Sequence, residues 1–201
     1  MTMLKILEPY ILTFIPIFVA VDIIGTIPLF ISLVEGMNKH HRQRVIAESV
    51  TTATVLAILF MFVGKWVLRL IGITIADFQI AGGALIFVIS MRFLLPGASK
   101  IILSGGHDKD VGVFPLGTPL ITGPAVLTTT LIMLDSFGIM PTFVSLAINM
   151  LIVWFTLAKA NAIMKFMGAG GTRAFSKVMY ILLAAIGVMM IRRGLTGFFI
   201  K

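Results

Sequence analysis

Long apolar stretches alternate with short polar connectors along the whole chain. A helix that crosses a lipid bilayer needs roughly 20 mostly apolar residues. Measured against this length, the pattern predicts six membrane-spanning helices, at about 9–34, 45–70, 78–95, 111–134, 141–158 and 178–196. The predicted fold is therefore all-α, and the chain is expected to form one transmembrane domain over 1–201.

Two of these stretches contain residues that interrupt a helix. The first holds a carboxylate, a glycine and a proline within 21–28, and the fourth holds two glycines and two prolines within 117–124. Proline lacks an N–H and clashes with the carbonyl four residues before it, whereas glycine loosens the backbone. The first and fourth helices are therefore predicted to be broken, the first of them near Gly25.

The two interruptions lie in corresponding places of two similar halves. The polar segment 97–110 is the predicted linker between a first half, 1–96, and a second half, 111–201. Aligning the interruptions sets Asp22 opposite Thr118. Because each half has three helices, the second half must enter the membrane from the opposite side, which predicts an inverted 3+3 repeat. Broken helices in matching positions are typical of the substrate site of a secondary transporter.

The residues at the interruptions suggest what a substrate would meet. Each break frees main-chain groups at membrane depth, where an unsatisfied group costs several kcal/mol. Thr26 and Thr122 are the predicted N-caps of half-helices that begin at Pro28 and Pro124, and the positive dipole ends of these half-helices would face a carboxylate. Freed carbonyls, together with Asp22, would face an ammonium group. This pattern favours a small zwitterion as the substrate.

Composition supports a membrane protein and excludes other classes. Hydrophobic residues make up 59% of the chain and charged residues 12%, which is too little polar surface to coat a soluble globule. The net charge of +8 comes from Lys and Arg scattered between apolar stretches, so no nucleic-acid surface is predicted. The chain has no cysteine and no pairing of a nucleophile with a base. We therefore expect neither an enzyme, nor a cofactor, nor a metal site.

The distribution of basic residues predicts the orientation in the membrane. The connectors after the first, third and fifth helices hold ten of the Lys and Arg residues, and the other side holds six. Because cytoplasmic connectors are enriched in positive charge, both termini are predicted to lie outside. The pair Arg192 and Arg193, on the less basic side, opposes this prediction.

Simpler explanations for the same residues stay open. Proline and glycine can kink packed helices without forming a site. Asp22 can cap a broken helix without carrying a proton, although ionisable residues at membrane depth are functional by default. Asn149 suits a helix-to-helix hydrogen bond as well as a ligand contact, and the threonines at 128–130 can line a site or bond back to their own helix.

Three segments resemble the motifs of a known family. The segment 22–30, D-I-I-G-T-I-P-L-F, resembles the D-P-x-G-N-x-P-x-F signature of the MarC family, also known as UPF0056. The segment 79–83 resembles its R-I-A-G-G motif, and 115–124 resembles its P-L-A-x-P-L-x-A-G-P motif. The chain departs from these patterns at Ile23 in place of Pro, Thr26 in place of Asn, and Gln79 in place of Arg. The missing Asn amide removes one family-like contact to a substrate, but a threonine hydroxyl could still cap a half-helix.

The resemblance implies a transporter of small neutral amino acids such as alanine or glycine, of the SnatA type, in the inner membrane of a prokaryote. Transport, with export as one direction open to it, would be coupled to H+ or Na+, and the expected partners are the amino acid and the lipid bilayer. The family also accepts Asn at the position of Asp22, so an obligatory proton-carrying role is not implied. The candidate substrate-binding residues are Asp22, Gly25, Thr26, Pro28, Thr118, Pro119, Thr122, Gly123 and Pro124. The alternatives are an exporter of cations or drugs and a membrane scaffold without transport activity; the oligomeric state stays open.

Overall fold

The computed structural model describes residues 2–95 and 111–199 of the chain. Within these residues the protein consists of seven helices and contains no strand. In chain order the helices are α1 (Thr2–Val21), α2 (Ile23–Leu33), α3 (Lys39–Ile71), α4 (Ile75–Leu94), α5 (Gly112–Ile121), α6 (Pro124–Phe137) and α7 (Ile139–Phe199). The all-α prediction is confirmed. The predicted linker 97–110 lies outside the described residues, so the division into halves at this segment stays a prediction.

Several helical segments of the described residues are long and apolar enough to cross a bilayer. Five pass this test, namely Leu7–Leu33, Lys39–Ile71, Ile75–Leu94, Ile139–Ala162 and Gly170–Gly197. A sixth crossing results if α5 and α6, which meet at a bend of 51°, are counted as one span. Large apolar side chains stay exposed on these segments, as Phe62, Trp66 and Leu70 of α3 show. Such a surface suits lipid rather than water, and the prediction of a multi-pass membrane protein is confirmed.

α1 and α2 together occupy the stretch of the first predicted helix. Asp22 separates them, with φ 45° and ψ 57° in the left-handed region. Aspartate is one of the few residues other than glycine that adopt this conformation. The interruption therefore lies three residues before the predicted position at Gly25. α2 begins at Ile23, so the prediction that this half-helix starts at Pro28 is wrong, and Pro28 lies inside α2.

The starts of α3 and α4 follow capping residues rather than the first apolar residue. Asn38 caps α3 and accepts a hydrogen bond from the backbone N–H of His41 at 2.8 Å, so α3 begins six residues before the predicted start. Thr74 caps α4 in a capping box with Asp77, whose carboxylate accepts from the Thr74 N–H at 2.8 Å. Asp77 fills the third position of the box, so α4 begins before the apolar stretch predicted from residue 78.

α5 is an irregular helix with the wide hydrogen-bond spacing of a π-helix. Phe114 and Thr118, inside it, have extended backbone angles, and each of them directly precedes a proline. The ring of a proline pushes the preceding residue out of the helical region, which explains both positions. α6 then begins at Pro124, because the first helical position does not need the N–H that proline lacks.

α7 contains both the fifth and the sixth predicted helices. The segment 159–177, predicted as a connector, is helical except at Gly168, where φ 69° and ψ 172° interrupt the helix. Its lysines make the segment polar, but lysine, alanine and methionine are good helix formers, so polarity did not mark a helix end. We refer to Ile139–Ala162 and Gly170–Gly197 as the first and second parts of α7.

α4 and the second part of α7 pack backbone to backbone at a pair of glycines. A Cβ added to Gly83 would lie 2.5 Å from the carbonyl oxygen of Gly187, and a Cβ added to Gly187 would lie 2.6 Å from that of Gly83. Small residues at a helix crossing permit this approach in membranes.

Helix contacts define the two ends of the bundle. The hydroxyl of Ser145 donates to the carbonyl of Tyr10 at 3.1 Å, so α7 begins beside the start of the first span. We name this end the N-terminal side. The end of α7 also lies there, because a Cβ added to Gly194 would lie 2.7 Å from the carbonyl oxygen of Ala76 at the start of α4. The turn between α2 and α3 marks the opposite side.

Candidate functional site

Asp22 lies at the interruption between α1 and α2 and turns its carboxylate back toward the backbone. Its Oδ1 atom accepts a hydrogen bond from the Gly25 N–H at 3.2 Å, so Asp22 caps α2. A capping carboxylate satisfies one of the N–H groups that the start of a helix leaves free, and the helix dipole favours its negative charge. The other carboxylate oxygen has no hydrogen-bond partner within the described residues and is available to a ligand.

Gly25 and Thr26 support this arrangement from inside α2. A Cβ added to Gly25 would lie 2.4 Å from the Asp22 Oδ2 atom. The carboxylate can therefore approach the backbone here only because residue 25 has no side chain. The Thr26 hydroxyl donates to the carbonyl of Asp22 at 3.0 Å, as does the Thr26 N–H at 3.1 Å. The prediction of Thr26 as an N-cap is wrong, because Asp22 already caps the helix one turn earlier.

Thr118 and Pro119 lie at the second interruption, within α5. Thr118 has an extended backbone, and its buried hydroxyl has no hydrogen-bond partner within the described residues. Pro119, which follows it, is buried and restricts the backbone of Thr118. A buried hydroxyl without a partner is uncommon, because leaving it unpaired costs about 1–3 kcal/mol.

The residues between α5 and α6 bond to neighbouring backbone rather than to α6. The Thr122 hydroxyl donates to the carbonyl of Ala53 in α3 at 2.9 Å, and the N-cap of α6 is Gly123, which has no capping side chain. The prediction of Thr122 as an N-cap is therefore wrong. A Cβ added to Gly123 would lie 2.2 Å from the Pro119 carbonyl oxygen, so this position also requires glycine.

Each interruption is followed by a proline that contacts another helix. Pro124 packs on α4, where a Cβ added to Gly82 would lie 1.9 Å from the proline ring. The carbonyl of Pro28 accepts a hydrogen bond from the Tyr180 hydroxyl of α7 at 3.4 Å. Tyr180 also bonds to the Ser32 hydroxyl at 2.8 Å, so the second half of α2 is tied to α7.

A cavity of about 380 Å³ opens beside Asp22 and extends toward the N-terminal side; we name it the Asp22 cavity. Four elements, α1, α4, α6 and the second part of α7, surround it together with Asp22 itself. Its lining residues are Ile15, Pro16, Val19, Ala20, Asp22, Gln79, Ala125, Thr128, Thr129, Ile132, Ile186, Met189, Met190 and Arg193. Of the nine candidate residues from the sequence, Asp22 alone lines this cavity. The other eight shape the two interruptions behind it.

Two polar residues of the Asp22 cavity were not among the predicted site residues. Gln79 reaches it from α4 and Arg193 from α7, and Arg193 forms no ion pair within the described residues. The sequence signal for Arg193 was its place in an arginine pair near the end of an apolar stretch. That signal entered only the prediction of orientation, because the side of the helix that faces the cavity depends on how α7 packs.

A second cavity, of about 690 Å³, lies on the opposite side of the bundle; we name it the opposite-side cavity. Its lining residues come from the end of α2, the start of α3, the end of α4 and α7, and they include Ser32, Glu35, Arg42, Phe93, Lys177 and Tyr180. Tyr180 and Ser32, which both line it, share a hydrogen bond at 2.8 Å. Leu29 and Phe30 of α2, which lie along the chain between Asp22 and Ser32, are fully buried.

Asn149 joins α7 to α1 rather than lining either cavity. Its Nδ2 group donates to the carbonyl of Phe14 at 3.4 Å and to that of Ser145 at 2.9 Å, which is the helix-to-helix alternative left open by the sequence. The described residues contain no group of three or more His, Asp or Glu that could hold a metal ion.

Known proteins similar to this chain share its length and its class. The family described as MarC family integral membrane protein matches residues 7–199. A UPF0056 membrane protein of Methanocaldococcus jannaschii is 31% identical, over 98% of this chain and 90% of its own length. A UPF0056 membrane protein of Pyrococcus abyssi is 27% identical over 98% and 99%, and UPF0056 membrane protein YhcE of Escherichia coli is 27% identical over 92% and 91%. No solved structure matches the chain. The multi-pass helical fold and this match over nearly the whole length show that the chain belongs to the MarC family of integral membrane proteins.

Proposed function

We propose that the protein is a secondary transporter of small neutral amino acids, with alanine and glycine as the expected substrates. One observation carries this proposal: the helix interruption at Asp22 opens onto a cavity that α1, α4, α6 and α7 form together. Ionisable residues within membrane-spanning segments characteristically face such cavities and mark substrate pathways. A volume of about 380 Å³ lies within the range of small-molecule sites and is ample for a molecule of this size.

The chemistry at the interruption suits the amino end of such a substrate. The free oxygen of the Asp22 carboxylate can accept a hydrogen bond from an ammonium group. Because Pro28 has no N–H, the carbonyl of Ile24 also lacks its helical donor and adds acceptor capacity near Asp22. The apolar side chains that form most of the cavity wall favour a substrate with a small apolar side chain.

Alternating access would use the two cavities in turn. The Asp22 cavity extends from the first interruption to the N-terminal side, and the opposite-side cavity extends to the other end. The hydrogen bonds of Tyr180 to Ser32 and Pro28 would hold the route from the opposite side closed in this conformation. Exchange of the substrate across the membrane then requires that these bonds open while the Asp22 cavity closes.

An inverted 3+3 repeat, with the first and fourth helices broken, would allow the two cavities to open in turn. Contacts between corresponding helices support it. Ser49 and Ser145 are 96 residues apart, as are Ala53 and Asn149, and the two interruptions have the same spacing. Ser145 and Asn149 bond to α1, at Thr13 and Phe14, whereas Ser49 and Ala53 lie against the second interruption, at Gly117 and Thr122.

A second candidate is an exporter of organic cations or drugs. A single carboxylate in a cavity with mostly apolar walls is the observation that favours it. Arg193 in the same cavity weighs against it, since a second cation would be repelled. Competition separates the two candidates: excess alanine should block uptake of labelled glycine, whereas a hydrophobic cation should not.

Uptake into proteoliposomes tests the proposed function. The purified full chain should take up labelled alanine or glycine, or exchange it in counterflow, under a proton or a sodium gradient. Asp22→Ala should lose this activity. Asp135→Asn, which changes an exposed carboxylate near the end of α6 that pairs with Lys65, should keep it. Absence of uptake and counterflow under every gradient would contradict transport and would favour the scaffold alternative.

A further inference from the structure

The Asp22 cavity contains charged groups of both signs that do not pair with each other. Asp22 lies at the interruption between α1 and α2, and Arg193 lies one helical turn beyond Met189 and Met190 of α7. Within the described residues neither side chain takes part in an ion pair, and Asp22 uses one oxygen on the Gly25 N–H. Two opposite charges that face one cavity and form no ion pair with each other suit a ligand that carries a positive and a negative charge itself.

An arginine near the end of a membrane span usually extends to the lipid headgroups, and this explanation fits Arg192 better than Arg193. Both residues are exposed, and both follow the same apolar segment. Successive residues of a helix point about 100° apart, however, and of these two only Arg193 lines the cavity. The guanidinium group is also the side chain that best matches a carboxylate, because it can donate two parallel hydrogen bonds.

We infer that Arg193, together with Gln79 on the neighbouring helix α4, binds the carboxylate of a zwitterionic substrate whose ammonium group binds at Asp22. Gln79 on α4 adds an amide donor. Thr128 and Thr129 of α6 also line the cavity, and the Thr128 hydroxyl donates to the Pro124 carbonyl of its own helix at 2.8 Å. This inference rests on the proposed function and deepens it, since the cavity would then select molecules that carry both groups. An amine without a carboxylate would lose the Arg193 contact.

Paired ligands test the assignment on the purified full chain. Alanine carries both charged groups, whereas alaninamide keeps the ammonium group and lacks the carboxylate. Arg193→Gln should reduce the preference for alanine over alaninamide, measured as the ratio of their Kd values, by about tenfold or more, because hydrogen bonds between charged groups are the strong ones. Asp22→Asn should weaken the binding of both ligands. Arg192→Gln is the matched control and should leave both affinities unchanged.

The outcomes separate this inference from the proposed function. If the unaltered protein does not bind alanine, the proposed function fails and the inference fails with it. If it binds alanine and Arg193→Gln keeps the full preference over alaninamide, the inference alone is overturned. Loss of both ligands in Arg193→Gln would overturn the inference as well, because alaninamide has no carboxylate and should not depend on Arg193.

Discussion

The two helix interruptions are similar in sequence and differ in how their polar groups are satisfied. At the first, one left-handed residue, Asp22, breaks the helix and caps the next with its own carboxylate. At the second, two prolines force residues 114 and 118 into extended conformations, and Thr122 bonds to the carbonyl of Ala53 on α3. The first interruption is therefore held by local contacts and faces a cavity, whereas the second is held by a neighbouring helix.

This difference suggests that the two interruptions have different roles. The Asp22 carboxylate can change its hydrogen bonds without breaking a contact between helices, because its partner, Gly25, lies on the helix that it caps. The second interruption cannot rearrange without losing its bond to α3. We expect the first to contact the substrate and the second to hold the fourth helix in place, and substitutions at matching positions can break this comparison.

The largest effect is expected from Gly123→Ala. The added Cβ would lie 2.2 Å from the Pro119 carbonyl oxygen, and a backbone atom cannot move aside as a side chain can. Overpacking of this kind costs about 1–3 kcal/mol and at times more, so the variant should unfold at lower temperature or fail to accumulate. Thermal unfolding in detergent measures this, with Gly170→Ala, where no atom lies within 4 Å, as the control. Unchanged stability of Gly123→Ala would show that the second interruption is not rigid.

Gly25→Ala is the matching change at the first interruption and should spare the fold. The added Cβ meets the end of the Asp22 side chain at 2.4 Å, so the carboxylate must turn away from the Gly25 N–H. Alanine also gains about 1 kcal/mol over glycine in a helix, which offsets the lost cap. We expect normal thermal stability and at least a tenfold loss of alanine uptake into proteoliposomes. Normal uptake would contradict a role for Asp22 in binding.

Thr122→Val and Thr26→Val compare the two threonines directly. Thr122→Val removes a hydrogen bond between helices, which costs about 0.6–1.7 kcal/mol in a membrane protein. Thr26→Val should cost less, because its hydroxyl bonds to the Asp22 carbonyl that the Thr26 N–H already satisfies. Chemical or thermal unfolding of the two variants measures the difference. Equal costs would remove the distinction between local and interhelical support.

Thr118→Val should have the smallest effect on stability. The Thr118 hydroxyl is buried without a partner within the described residues, so its removal breaks no hydrogen bond. The substitution should keep or slightly raise the unfolding temperature. If a substrate satisfies this hydroxyl during transport, uptake should fall severalfold at unchanged stability. Unchanged uptake would place Thr118 outside the substrate site.

The sequence predicted the parts of the fold that depend on local composition. Apolar length predicted the helices, and the proline at 124 predicted where α6 begins. Helix starts at Asn38 and Thr74 were missed because hydrophobicity outweighed capping signals that were present in the sequence. The helical segment 159–177 was missed because its polar residues are also good helix formers.

The candidate site was predictable only where backbone chemistry defines it. Asp22 was found because a carboxylate inside an apolar stretch is unusual, and it lines the cavity. The capping roles predicted for Thr26 and Thr122 were wrong. Asp22 caps α2 in place of Thr26, and the Thr122 hydroxyl donates to the carbonyl of Ala53 on α3. Gln79 and Arg193 could not be selected, since their presence in one cavity follows from the packing of α4 against α7.

The close contact of Gly83 with Gly187 also has a mechanical consequence. No side chain lies between the two backbones, so the distance between them cannot change by a side-chain movement. The contact would therefore stay fixed as the point about which the two helices rotate. Ala76 meets Gly194 on the N-terminal side of this point, and Phe93 stacks near Tyr180 on the other, with 5.5 Å between ring centroids. A rotation of α4 against α7 about this point would therefore widen one of these contacts as it narrows the other.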